Sequence, residues 1–66
     1  MENLARMKLD VLQSFKQSCI DSLLDVANLA RTETDADNRY ALEGRRMELI
    51  KLLQGIDAEF DRRTKA

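Results

Sequence analysis

Two aspartate pairs, Asp21/Asp25 and Asp57/Asp61, stand four residues apart, the spacing that sets side chains next to each other on an α-helix. Neighbouring carboxylates could hold a divalent ion, but pairs at this spacing are usually solvated surface. The polar run TETDADN, residues 32–38, offers more carboxylates. It lacks the central glycine and the distal bidentate glutamate of a calcium loop. The chain has one cysteine and no histidine. That composition removes the Cys/His zinc site, the intrachain disulfide and the Ser-His or Cys-His nucleophile pair together. Cys19 lies in an apolar stripe with Phe15 and Leu23, away from any basic cluster that would favour a thiolate, so it reads as a small core hydrophobe. No glycine-rich loop is present to cradle phosphate. These residues predict a non-enzyme with no metal, cofactor or small-molecule substrate.

The elements follow from apolar spacing. Leu4, Met7, Val11, Leu12, Phe15, Cys19, Leu23, Val26, Leu29 and Ala30 recur at three- and four-residue steps, and so do Leu42, Leu49, Leu52, Leu53, Ile56 and Phe60. Each half is therefore an amphipathic helix. At about 100° per residue the second stripe lies roughly 140° around from the first, so one continuous rod would expose one stripe while burying the other. Charge placement agrees. Arg31 suits the negative end of a first helix, Glu33, Asp35 and Asp37 the positive start of a second, and Arg62, Arg63 and Lys65 its close. Thr32, Thr34 and Asp35 are good N-cap residues, and Thr34-x-x-Asp37 resembles a capping box with Asp in place of Glu. A C-cap glycine is missing, and Asn38 is a late substitute. Acid-before-base pairs Glu2–Arg6, Asp35–Arg39 and Glu59–Arg63 add local support.

The expected fold is all-α: one domain over residues 1–66, an antiparallel two-helix hairpin with helix 1 at about 2–31, a joint at about 32–35 and helix 2 at about 35–63. The nearly equal helices would each span roughly 42 Å.

A chain of 66 residues buries little surface alone. Beside the main stripe of helix 1 lies an apolar shoulder of Leu9, Ile20, Leu24 and Ala27 flanking Gln13, and helix 2 carries Ala36, Tyr40, Met47 and Ala58. The plain reading makes these the edges of the core. The sharper one makes Leu9, Gln13, Ile20, Leu24, Tyr40 and Met47 an interface that completes a four-helix bundle, by self-association as a homodimer or with a partner protein. Lys8, Ser22 and Arg46 interrupt the stripes. Their stems can lie along the core while the polar ends reach water. Alternatively Arg46, with Arg45 beside it, makes a buried pairing that sets register or partner choice. Gly44 and Gly55, eleven residues apart, project from nearly one outer face of helix 2 and would allow close approach of another backbone.

The 11 basic and 12 acidic side chains leave a formal charge of −1, which offers no general attraction to nucleic acid or an anionic membrane. Arg6, Lys8, Arg62, Arg63 and Lys65 would gather at the open end, but Glu2, Asp10, Glu59 and Asp61 share it and no stacking aromatic accompanies them. Nucleic acid is not the expected partner. With 44% hydrophobic residues and no proline the chain is too apolar for disorder. No apolar run could cross a bilayer, the opening residues lack signal-peptide order, and a lone thiol fits a reducing compartment, so a cytoplasmic location is expected. Hairpins of this length occur among type III secretion co-chaperones, phage-encoded inhibitors of host proteins and RNA-binding plasmid regulators. This chain shares with them length and helical periodicity, and no signature residues. The expected function is a stoichiometric regulator, inhibitor or adaptor of another protein. The alternatives are a co-chaperone subunit of a heterocomplex and an RNA-binding hairpin dimer.

Overall fold

The computed structural model describes residues 4–65. Leu4–Arg6 make a short 3-10 turn, followed by two α-helices, α1 at Leu9–Thr32 and α2 at Ala36–Lys65. The helices pack along each other as a hairpin 47 Å long and 16–19 Å across at the Cα atoms.

The first helix begins at Leu9 rather than at residue 2, and residues 2 and 3, with the Glu2–Arg6 pair, lie outside the described residues. Lys16 of α1 is ion-paired to Asp57 of α2 at 2.9 Å, which sets the register of the two helices. The α-helix does not continue outward past Lys8. Instead Lys8 adopts extended backbone (φ −66°, ψ 154°), and the chain before it folds back so that Leu4 and Met7 join the core.

The joint is Glu33–Asp35, and it uses no left-handed residue. Glu33 leaves the helix at φ −75°, ψ 125° while its N–H still donates to Leu29 O at 3.0 Å. A C-cap glycine is therefore not required. The second helix is capped by Asp35, not by a Thr34/Asp37 box: its Oδ1 accepts from the N–H groups of Asp37 (2.9 Å) and Asn38 (3.1 Å). Glu33 Oε1 in turn accepts from Asp35 N–H at 2.9 Å. Asp35 thus serves the helix N-terminus instead of pairing with Arg39, and Asn38 sits inside the first turn.

The buried apolar residues recur at sevens, Leu12–Cys19–Val26 on α1 and Leu49–Ile56 on α2. Seven-residue spacing is the seam of a two-stranded coil, narrower than the full apolar stripe. Among the described residues only Leu12 and Ile56 are wholly enclosed. Leu4, Met7, Phe15, Leu53 and Phe60 close around them, which sets the densest packing at the open end, away from the joint. Val11, Leu29 and Leu52, expected in the core, are exposed because one helix cannot cover a stripe that wide.

Candidate interaction surfaces

Three of the four paired aspartates have partners: Asp21 accepts from Gln17 Nε2 at 3.0 Å, Asp57 binds Lys16 and Asp61 binds Lys65 at 3.0 Å. No group of three or more metal-ligating side chains occurs among the described residues. Cys19 is buried, and that burial pushes its thiol above the ordinary range, away from the reactive thiolate.

An ionic cluster that the sequence gives only as one i, i+4 pair sits where α2 meets the folded-back segment. Glu59, 8% exposed, is the one charged side chain in the buried set among the described residues. Arg62 grips its carboxylate from both nitrogens, Nη2 to Oε1 at 2.5 Å and Nε to Oε2 at 3.0 Å, while Arg63 Nε donates to Oε1 at 2.9 Å. The hydrogen bonds from Arg62 and then Arg63 hold the Glu59 carboxyl down at about 2. Arg63 also reaches across to donate through Nη2 to Leu4 O (3.1 Å) and Met7 O (2.5 Å). It ties down carbonyls that a continuous helix would have satisfied internally. The only signal in sequence was Glu59–Arg63 spacing; its long-range partners are 56 and 59 residues away.

The six expected contact residues do not form one surface. Taking about 100° per residue, Leu9, Gln13, Ile20 and Leu24 lie roughly 60–120° to one side of Leu12, the side that also carries Lys16. The Lys16–Asp57 bridge shows which side of α2 adjoins it. On α2, Arg46, Ile50 and Asp57 lie about 80–120° from Ile56 in that direction. Counting from the bridge toward the joint brings Leu24 level with Ile50, a half-buried residue that the sequence reading left out. This flank holds exposed Leu9, Gln13 and Leu24 (59%) with half-buried Ile20 and Ile50. Tyr40 (83% exposed) and Met47 stand about 160–180° from Ile56, on the back of α2. The opposite flank exposes Val11 and Leu29.

The polar candidates separate as well. Arg46 is not buried; its guanidinium is bonded to Glu43 one turn earlier on an exposed face, and these bonds lower the Glu43 pKa and raise that of Arg46. Arg45 borders an open, mainly apolar groove of about 310 Å³ near the joint, with Leu29, Ala41 and Leu42 in its wall. Gly44 faces open space, as expected of an outer position. Gly55 does not, because a Cβ there would stand 3.5 Å from Leu4 Cδ1. The two glycines share a face, and the folded-back segment covers it only at the open end.

No helix among the described residues is long and apolar enough to cross a membrane. Comparison with known proteins gave no match to a family model, a curated protein or a solved structure.

Proposed function

We propose that this protein is a non-enzymatic interaction module of the cytoplasm that acts stoichiometrically, as a regulator, inhibitor or adaptor, by occupying a surface of another protein. The observation that carries the reading is the ratio of exposed to buried apolar side chains. Among the described residues seven large hydrophobic side chains are exposed, against five apolar residues in the core. Exposed apolar residues scattered singly are ordinary, but here they lie along both flanks and the back of a two-helix unit that has little other core. Association with a partner, or with a second copy to give a four-helix bundle, would cover them. A free buried cysteine fits a reducing compartment.

The co-chaperone alternative is the same module as an obligate subunit, and it predicts a weakly helical chain until its partner is added. The RNA-binding alternative loses its best residues, since Arg62 and Arg63 are both engaged by Glu59. The test is a photo-crosslinking amino acid placed at Tyr40, with the chain expressed in its own cells. A discrete protein adduct, competed away by unlabelled chain, supports the reading. Adducts that are lost to ribonuclease and not to protease would overturn it in favour of RNA.

A further inference from the structure

The geometry points to a second copy of this chain as the occupant of the Ile20–Leu24–Ile50 flank, which leaves the Tyr40–Met47 face free for another protein. The inference rests on the interaction-module reading and specifies which surface is used for self-association.

Three observations select the flank and its occupant. The first is area. The chain exposes 5,327 Å², whereas a compact monomer of its 7.6 kDa exposes roughly 4,300 Å². The excess, about 1,000 Å², exceeds the roughly 800 Å² per partner of a standard stable interface. One long side of the hairpin, 47 Å by 16–19 Å, outlines about 750–890 Å², so a single face-to-face contact is the right size. The second is placement. Ile20 and Leu24 of α1 lie on the same side of the hairpin as Ile50 of α2 and near its level, as the Lys16–Asp57 bridge fixes it, whereas Tyr40 is bordered by Arg39 and Glu43, and the folded-back segment covers the opposite side at Gly55.

The third observation is charge. The flank is closed at one end by the Lys16–Asp57 pair and toward the joint by the Glu43–Arg46 pair. A two-fold axis across the helices, at the level of Ile20 and Leu24, falls within about two residues of the middle of α1, so overlap is nearly complete. It lays Ile20 against Leu24 of the second copy and brings the two Ile50 side chains together. It also places the Lys16–Asp57 pair of each chain over the Glu43–Arg46 pair of the other. Each end brings one acid and one base, so neither end opposes the contact with a net charge of one sign.

The test uses the full chain. Light scattering over a hundredfold concentration range should give twice the chain mass for the wild type, and the mass of one chain for Leu24→Asp. Because Leu24→Asp could also unfold the chain, Ile50→Cys in a Cys19→Ser background supplies a second measurement. Mild oxidation with diamide should link most of it into a covalent dimer, while Tyr40→Cys in the same background stays unlinked. A wild type that remains monomeric throughout, or equal linking at the two positions, would overturn the proposal. A monomer that still gives the Tyr40 adduct sinks the dimer and keeps the interaction reading; a dimer without that adduct does the reverse.

Discussion

At the scale of single residues, the Glu59 cluster carries the most consequence. A carboxyl held at about 2 in the folded chain, against an ordinary 4.5, binds fewer protons folded than unfolded across that interval. Its stabilising contribution is complete above about pH 4.5 and is lost as pH falls toward 2. Glu59→Gln should therefore melt below the wild type at neutral pH, and the two melting curves should converge near pH 2. Parallel curves across the whole range would mean that Glu59 acts by shape alone. Arg63 does a second job that Arg62 does not, since its Nη2 also donates to the carbonyls of Leu4 and Met7. Arg63→Met should cost about 1.5–3 kcal/mol in denaturant unfolding, the range for hydrogen bonds to a charged group. Arg62, with a mostly exposed side chain, should cost less than Arg63 when replaced the same way.

At the scale of elements, the joint works through side-chain caps rather than a special backbone. Asp35 satisfies two of the amides at the start of α2, so Asp35→Ala should lower stability by about 1 kcal/mol, with Thr34→Ala near neutral. Gly44 lies mid-helix with open space where a Cβ would point. Gly44→Ala should raise the stability of the hairpin by up to about 1 kcal/mol, since alanine restricts the unfolded chain and fits the helix. A Gly44→Ala chain that is less stable, or that loses partner binding, would show that another backbone approaches there. The helices themselves were legible because apolar residues at three- and four-residue steps have only one regular solution. The start of α1 was not. Leu4 and Met7 continue the helical spacing, yet they reach the core through a 3-10 turn and the extended Lys8 rather than through a longer helix.

For the whole molecule, a seam in which two side chains are fully enclosed provides little cohesion, so folding should be linked to association. The melting temperature of the wild type should rise with protein concentration, as mass action requires when only the folded form associates. In Leu24→Asp that dependence should disappear. A wild-type melting temperature independent of concentration would mean that the hairpin is self-sufficient.

Sequence by itself determined that the chain is two amphipathic helices with opposed charge at their ends, since periodicity, capping residues and dipole complementarity are local properties. The lack of histidine, read there too, means that no imidazole is present to act as a base or a metal ligand. Tertiary structure decided the rest, because it depends on register. A shift of a few residues between α1 and α2 would change which of Leu12, Val11 and Leu29 is covered. It would also separate Lys16 from Asp57, and Arg63 from the carbonyls it holds. Register likewise brought Ile50 level with Leu24 on one side of the hairpin. Side-chain type fixes what a residue can bury or bind; the neighbouring helix fixes whether it does.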